Sequence, residues 1–396
     1  MKQKILLVSK FYYHRGGACI QAMNLRKILE DNGHEVAVFS MQYPKNISSG
    51  YDEYFAKEVK FFNGLSEKLG ATLRVFGLGD VKRKFNKLLD DFKPDVVHLH
   101  NIHSYISPVV AKLAKKHGCK VVWTLHDYKL ACPSYACLYN GKPCELCLTD
   151  KMGVLKTCCM KGSLVASILA YLEARYWNLK KLIKYTDTFI CPSEFMGQMM
   201  IKAGIPKSKI VVKNNFMLEQ KECGANKEIL DYYCFVGRLS QEKGVETLLK
   251  AASELPYKLK IAGSGPLEEE FRNRYSSEKI EFLGQISREE VVTLLSKAMF
   301  SVVPSEWYEN NPGSVIESLC MGTPVIGSKI GGIPELITED SGLLFDTFNK
   351  DSLKQAIVQM KSEYMKYNRR EMAAKANKRY YSQDYYTFVS EIYSEK

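Results

Sequence analysis

Residues 304–332, PSEWYENNPGSVIESLCMGTPVIGSKIGG, decide the fold of this chain. A buried strand precedes this stretch, a polar loop with Glu309 follows the strand, and a helix begins after the loop. Pro312 suits the first helical position, because its missing N–H would be unpaired there. The N–H groups of Gly313 and Ser314 then point outwards at the positive end of the helix dipole, which predicts a phosphate site.

Two glutamates flank this helix start, with Asn310 and Asn311 between them. Glu309 and Glu317 are eight residues apart, too far for an acid–base couple on one helix face. They fit better as two carboxylates that accept hydroxyl hydrogen bonds at opposite ends of one extended polar ligand. The alternative is a solvated loop glutamate and a glutamate on the helix surface.

Two cations flank a turn in residues 235–244, FVGRLSQEKG. Arg238 and Lys243 follow a predicted strand, and a forked guanidinium beside an ammonium suits a diphosphate. The alternative is a pair of ordinary surface cations. Gly265 lies in the next glycine-bearing turn, AGSGP, where the backbone can approach a ligand closely.

Short apolar runs alternate with helical periodicity throughout the chain, which predicts parallel sheets covered by helices. The predicted strands of the first part are residues 4–9, 36–39, 96–99 and 120–124. Those of the second part are residues 231–236, 259–262, 280–283, 300–303 and 324–326. The simplest interpretation is two Rossmann-like domains in tandem, joined near residues 213–230.

Polar side chains follow two strands of the first part. His98, His100 and His103 surround the end of one strand, and His126 with Asp127 follows the next. Ligand crevices of parallel sheets lie beyond such strand ends. We expect His126 to bind a ligand there, although a histidine that only satisfies a strand end is the alternative.

Several motifs in order resemble the retaining family-four glycosyltransferases of the GT-B fold. They include GR-x4-KG at 237–244, AGSGP at 262–266, E-x7-E at 309–317, and the later MGTPVIG and GGIPE. The resemblance covers almost the whole chain. It implies an α/β protein with two Rossmann-like domains facing a cleft, a nucleotide-sugar donor held mainly by the second domain, and a C-terminal helix that packs back on the first.

The resemblance also implies residue roles. Arg238 and Lys243 would neutralise the donor diphosphate, and Glu309 would contact the donor sugar. Catalytic contacts would come from these three residues and His126, which would hydrogen-bond the sugar. The remaining donor contacts would come from Gly16, Gly17, Gly265, Asn310, Asn311, Pro312, Gly313, Ser314 and Glu317, the last on the ribose. Asn214-Asn215 departs from the family's usual Asn-Gly, so no contact is assigned there.

The implied reaction is transfer with retention through an ion-pair-like transition state, which needs positioning and electrostatics but no catalytic metal. The expected donor is a UDP- or GDP-sugar. The expected domains are an acceptor-side domain at 1–215 with a Cys-rich loop at 132–159, a donor domain at 216–375, and a returning helix at 376–396.

Charge and composition limit the kinds of partner that the chain is expected to bind. The chain has 396 residues and a net charge of +12, with +16 in residues 1–215 and −4 in residues 216–396. No basic-aromatic motif supports nucleic-acid binding, and no G-x-G-x-x-G follows the first strand as in an oxidoreductase. The N-terminus lacks a signal-peptide core, so we expect a cytoplasmic chain.

Six of the twelve cysteines lie in residues 132–159. Cys144 and Cys147 have the spacing of half a thiolate zinc site, which Cys132 with Cys159 or Cys158 would complete. A structural zinc that pins an acceptor-side loop is one hypothesis. Unliganded thiols and disulfides are the alternatives.

Residues 162–185 combine a broad apolar face with Lys180, Lys181 and Lys184. An ordinary core helix explains this pattern, and so does an interfacial element on anionic lipid. The second interpretation places the protein peripherally at the inner face of the plasma membrane, with a polyprenyl-diphosphate saccharide as acceptor. The leading hypothesis is thus a retaining glycosyltransferase of capsule or O-antigen synthesis. The rivals are an epimerase or hydrolase of the same fold and an inactive sugar-nucleotide-binding module.

Overall fold

Two all-parallel six-stranded sheets organise the described chain. The structure, a computed structural model, describes residues 2–61, 65–218 and 228–395. One unit comprises Met1–Cys137, Cys144–Leu218 and Ser382–Lys396, and the other comprises Leu138–Pro143 and Glu219–Tyr381. The predicted joining segment at 213–230 falls partly on residues 219–227, which lie outside the described residues.

The first sheet has the order β2-β1-β3-β4-β7-β8. Its strands are β1 (Lys4–Val8), β2 (Glu35–Phe39), β3 (Val96–Leu99), β4 (Lys120–Thr124), β7 (Thr188–Cys191) and β8 (Ile210–Val212). Apolar runs such as ILLV in β1 are buried on both faces, as parallel strands covered by helices require. The chain passes from β1 to β2 on one side, and then from β2 to β3 on the other side of β1. The switch point of this sheet therefore lies between β1 and β3.

The first unit has nine α-helices within the described residues. They are α1 (Gly17–Asp31), α2 (Leu65–Val75), α3 (Asp80–Phe92), α4 (Val109–Lys116), α5 (Gly153–Thr157), α6 (Leu164–Tyr176), α7 (Leu179–Tyr185), α8 (Glu194–Lys202) and the C-terminal α15 (Ser382–Ser394). Tyr385, Val389 and Ile392 of α15 join the core cluster that contains Ile5 and Leu25. The chain end therefore packs back on the first sheet.

The second sheet has the order β11-β10-β9-β12-β13-β14, the strand order of a Rossmann fold. Its strands are β9 (Tyr233–Val236), β10 (Leu259–Ala262), β11 (Ile280–Gly284), β12 (Ser301–Val303), β13 (Val325–Ser328) and β14 (Gly342–Phe345). Its switch point lies between β9 and β12. The helices are α9 (Val245–Ser253), α10 (Glu268–Tyr275), α11 (Arg288–Lys297), α12 (Gly313–Cys320), α13 (Lys350–Glu363) and α14 (Arg369–Arg379).

The two sheets confirm the predicted α/β class with two Rossmann-like domains. The sequence analysis did not predict β7, β8 and β14, nor the two-stranded hairpin of β5 (Leu138–Tyr139) and β6 (Lys142–Pro143). Within the described residues, no helix has the length and apolarity that a membrane span needs.

Residues 162–185 form two helices. The helix α6 ends at Tyr176, and Asn178 caps α7 by accepting a hydrogen bond from the Lys181 N–H. Buried Trp177 lies at the break, where its Nε1–H donates to the Val75 carbonyl over 2.9 Å.

Candidate functional site

The loops after β9 and β12 meet at the switch point of the second sheet. The Glu306 N–H donates to the Glu242 carbonyl over 2.9 Å, and Thr247 Oγ1 donates to Glu306 Oε1 over 2.5 Å. Gly244 has a φ of 64°, and a Cβ there would lie 1.9 Å from the Pro304 carbonyl oxygen. Only glycine allows this approach, which brings Lys243 beside the loop after β12.

Lys243 and Glu309 form an ion pair in this loop pair. Lys243 Nζ lies 2.6 Å from Glu309 Oε1, which also accepts a 2.7 Å hydrogen bond from Ser305 Oγ. Glu309 is only 6% exposed. Burial acts to raise its pKa, but the Lys243 ammonium and the hydrogen bonds hold the pKa of Glu309 below its usual range. Glu309 is therefore an ionised acceptor at neutral pH and not a general acid.

The backbone of Glu309 is held by the GGIPE segment. The Gly332 N–H donates to the Glu309 carbonyl over 2.7 Å. Gly331 has a φ of 59°, and a Cβ there would lie 2.3 Å from the same oxygen. This contact was not predicted from the sequence, although paired glycines after a strand are a signal for a close backbone approach.

The helix α12 begins directly after this loop. Pro312 is its N-cap residue, one position before the predicted first helical position, and no side chain caps the first turn or places an acidic group in it. Gly313 is exposed and Ser314 half-buried, so these N–H groups face the surface at the positive end of the dipole. Glu317 is half-buried one turn later. Burial, together with the charge of Glu317, raises the pKa of Cys320 to about 12.

Arg238 and Gly265 complete the predicted donor residues of this unit. The Arg238 side chain is exposed, and it makes no hydrogen bond or ion pair with the described part of the chain. A Cβ at Gly265 would lie 2.2 Å from the Leu239 carbonyl oxygen. The contact with the neighbouring loop thus by itself requires glycine in this turn. Asn310 is half-buried and Asn311 buried in the same loop as Glu309.

In the first unit, Gly16 and Gly17 lie at the start of α1, after β1. Gly16 has an extended φ of 177°, with no side-chain cap for the helix. A Cβ on either glycine would meet nothing within 4 Å among the described residues. The chain itself therefore gives no steric reason for these glycines, unlike Gly244 and Gly331.

His126 follows β4 and contacts His100, which follows β3. His100 Nδ1 and His126 Nε2 are 2.9 Å apart. Burial lowers the pKa of His126 to about 4, although Asp127 acts to raise it and Lys10 to lower it further. Lys10, which was not predicted as a site residue, is also part of this cluster; burial lowers its pKa and Asp127 acts to raise it. Its position directly after the first strand was the available signal.

His103 belongs to a separate buried network. Glu173 of α6 lies 2.8 Å from Lys129 Nζ and 3.7 Å from His103 Nδ1, and it accepts from the Ser104 N–H over 3.2 Å. Burial acts to raise the pKa of Glu173, but Lys129 and His103 bring it down to about 2. This network anchors the inner face of α6.

The cysteine-rich loop does not form the predicted zinc site. Cys132, Cys137 and Cys147 lie close together, and the neighbouring Cys137 and Cys147 thiols lower the pKa of Cys132. Cys144 and Cys159 are not part of this trio, and no group of three His, Cys, Asp or Glu side chains in the described ranges could hold a metal ion. The zinc hypothesis for Cys132, Cys144, Cys147 and Cys159 is therefore not supported. Of the C-x2-C residues, only Cys147 joins Cys132 and Cys137 in this trio.

Solved structures match the fold over the whole chain. The crystal structure of Anabaena Alr3699/HepE in complex with UDP and glucose has a TM-score of 0.68 and 16% identity, over 99% of both chains. The lipopolysaccharide outer core galactosyltransferase WaaB in its apo form has a TM-score of 0.68 and 18% identity, also over 99% of both chains. These likenesses establish the fold.

Sequence relatives are more informative about family. An uncharacterized 42.6 kDa protein of the cps region of Klebsiella pneumoniae is 28% identical, over 84% of this chain and 87% of that protein. The O-antigen biosynthesis glycosyltransferase WbnH of Escherichia coli is 29% identical, over 58% of this chain and 64% of that protein. The family model described as "Glycosyl transferases group 1" matches residues 219–379, and "Glycosyltransferase Family 4" matches residues 15–217. The chain belongs to Glycosyltransferase Family 4 and has the GT-B fold.

Proposed function

We propose that this glycosyltransferase transfers a sugar, with retention, from a nucleotide-sugar donor to a saccharide acceptor of surface-polysaccharide synthesis. One observation carries the donor assignment: Lys243, Glu309 and the uncapped start of α12 converge at the switch point of the second sheet. Parallel sheets bind ligands at that position. Complexes of Anabaena HepE with UDP and with UDP-glucose support a nucleotide-sugar donor, and the cps and O-antigen relatives support the pathway.

In this proposal, the cationic and anionic residues bind different parts of the donor. Arg238 and Lys243 neutralise the leaving diphosphate together with the N–H groups of Gly313 and Ser314. Buried, ionised Glu309 accepts hydroxyl hydrogen bonds from the sugar, and Glu317 accepts from the ribose. Gly16 and Gly17 leave room for the phosphates, and His126 hydrogen-bonds the sugar. The acceptor attacks the face that the leaving phosphate vacates, and that phosphate takes the acceptor's proton. This scheme is driven by preorganised electrostatics and needs no metal ion.

A donor panel tests this assignment. Thermal unfolding with UDP, GDP, ADP and their sugars identifies the base, because a nucleotide that binds only the folded state raises the melting temperature. Turnover of the stabilising sugar is then measured with and without saccharide acceptors. Acceptor-independent loss of donor would favour a hydrolase or epimerase, and binding without turnover would favour an inactive module.

Matched variants test the site. We expect Lys243→Ala to lower kcat/KM for the donor on the order of 100-fold, the scale of removing one electrostatic contact to a transition state. Lys354→Ala is the control, because Lys354 also pairs with a glutamate, Glu254 at 2.7 Å, but on the surface. Equal activity of the two variants would contradict the donor site.

We also propose that α6 rests on an anionic membrane, which would bring the enzyme to a lipid-linked acceptor. Glu173 anchors the inner face of α6, and its outer face is apolar, with Val165 77% exposed. Further exposed apolar residues of this outer face are Leu164, Ile168, Leu172 and Tyr176. Arg175, Lys180, Lys181 and Lys184 are exposed beside it, and this basic charge suits anionic lipid.

Co-sedimentation with liposomes tests the membrane proposal. We expect binding to vesicles containing phosphatidylglycerol and little binding to pure phosphatidylcholine. Val165→Asp should abolish it, whereas Glu67→Asp on exposed α2 should not. Self-association that Val165→Asp removes, without lipid binding, would assign the face to a second copy of the chain and overturn the proposal.

A further inference from the structure

Three histidines form a column at the ends of β3 and β4 in the first unit. The rings of His98 and His100 are stacked with centroids 4.7 Å apart, and those of His100 and His126 are 5.2 Å apart. His98 and His100 are buried, whereas His126 is partly exposed. The column therefore runs from the core of the unit to its surface, and His126 is the outer end.

The ring nitrogens of the column have unequal partners. His98 is satisfied on both sides, by the Tyr393 hydroxyl at 2.5 Å on Nδ1 and by Thr124 Oγ1 at 2.7 Å on Nε2. His100 uses Nδ1 for the 2.9 Å contact with His126 Nε2. Its Nε2 is buried and has no hydrogen-bond partner among the described residues. His126 thus points Nε2 inwards and Nδ1 outwards.

Both rings of the 2.9 Å contact are neutral at neutral pH. Burial lowers the pKa of His126 to about 4 and that of His100 well below its usual value. Each ring therefore carries one N–H, and one of the two must donate. If His126 donated from Nε2, His100 would hold its proton on Nε2, where a buried N–H would have no acceptor. If His100 donates from Nδ1, its Nε2 is only an unpaired acceptor. Orphaned buried donors are the rarer and costlier case.

We propose that His100 is a positioning residue, which donates from Nδ1 to His126 Nε2 and so holds the proton of His126 on its outward Nδ1. His126 then offers a hydrogen-bond donor, not an acceptor, at the end of β4. In the proposed function, on which this role depends, His126 donates to an oxygen of the sugar nucleotide. The Trp123 Nε1–H donates to the His100 carbonyl over 2.9 Å and fixes the backbone of His100.

Nitrogen NMR of the full chain with 15N-labelled histidine tests the tautomer without any substrate. Long-range 1H–15N correlations distinguish a protonated ring nitrogen from an unprotonated one, and the signals of His126 are assigned by their loss in His126→Gln. We expect Nδ1–H on His126 at pH 7. His100→Asn, whose amide nitrogen replaces Nδ1, should keep that tautomer. His100→Asp, whose carboxylate oxygen puts an acceptor in place of Nδ1, should draw a proton onto Nε2 of His126. His117→Asn, in an exposed site, is the control.

Kinetics then test the positioning role. We expect His100→Leu to lower kcat/KM for the donor at least about tenfold, equivalent to 1.4 kcal/mol, and His100→Asn to recover most of it. Nε2–H on His126 in the wild type would overturn the proposal, as would an unprotonated Nε2 on His126 in His100→Asp. If His100→Leu does not fold, the tautomer of His126 in the wild type and in His100→Asn still tests the proposal. If His126 carries its proton on Nδ1 but the chain transfers no sugar, the proposed function is refuted and the role of His100 in fixing the tautomer is not.

Discussion

Glu309 shows how a single carboxylate obtains a defined protonation state. Its burial alone would favour the neutral acid, yet Lys243 at 2.6 Å and Ser305 at 2.7 Å keep it ionised. The same contacts hold Lys243 at the end of β9, so each residue orients the other. A ligand with both phosphate and hydroxyl groups can use the pair without first organising it.

Replacement of Glu309 by glutamine tests this coupling. We expect Glu309→Gln to lower kcat on the order of 100-fold, because the amide no longer pairs with Lys243 and offers a donor where the sugar needs an acceptor. Steady-state kinetics with the stabilising donor measure the effect. Glu254→Gln, which removes a carboxylate from an exposed ion pair with Lys354, should leave kcat unchanged. A fully active Glu309→Gln would remove Glu309 from the site.

Gly331 and Gly16 separate a glycine needed by the fold from one that the fold does not need. Gly331→Ala forces a φ of 59° on alanine and places its Cβ 2.3 Å from the Glu309 carbonyl oxygen. We expect it to lower the free energy of unfolding by at least about 2 kcal/mol. Gly16→Ala meets no such obstacle, so denaturant unfolding should show no loss, while the KM for the donor rises if phosphates approach there. Equal stability of both variants would contradict the steric argument.

At the scale of the element, α6 is unusual because it buries the charged Glu173 while most of its large apolar residues are exposed. The buried Glu173 pairs with Lys129, while large apolar residues of α6, such as Val165, are exposed. The pattern of residues 162–185 predicted an apolar face correctly but could not tell which way it points. Residues outside the helix decide that orientation, since Lys129 and His103 lie in loops after other strands.

The buried pair of Glu173 and Lys129 predicts a pH-dependent stability. Glu173→Gln leaves Lys129 buried without its carboxylate, so we expect a loss of about 3–5 kcal/mol in the free energy of unfolding. The folded pKa of about 2 lies below the unfolded value of about 4.3. The contribution is therefore complete above about pH 4.3 and disappears as the pH falls towards 2. Urea unfolding of both proteins from pH 7 to pH 3 measures it; a pH-independent difference would contradict the ionised state.

At the scale of the whole molecule, two sheets with separate cores predict two unfolding transitions. A nucleotide held mainly by the loops after β9 and β12 should raise the free energy of unfolding of the second unit most, by about 2.7 kcal/mol at 100 times its Kd. Tyr393→Phe should lower only the free energy of unfolding of the first unit, by about 1 kcal/mol, because it removes the hydroxyl bonded to His98. Differential scanning calorimetry resolves the two. A single transition that shifts with both changes would contradict independent cores.

The α/β class, most strands near the site and the glycosyltransferase family follow from local patterns. Buried apolar runs, helical periodicity and the spacing of GR-x4-KG and E-x7-E are properties of consecutive residues, so they are legible in the sequence. The strands β7, β8 and β14 were not predicted, although β7 and β14 are as long as the predicted β3, β9 and β10.

The sequence pattern does not show which residues far apart in the chain come into contact. The pairing of Lys243 with Glu309 depends on β9 and β12 being neighbours, and the contact of His100 with His126 depends on β3 beside β4. The failure of the zinc hypothesis has the same cause, since thiol contacts are chosen by the path of the loop and not by C-x2-C spacing. Strand order and loop path are set by packing between residues far apart in the chain, so the chemistry that depends on them was decided only by the tertiary structure.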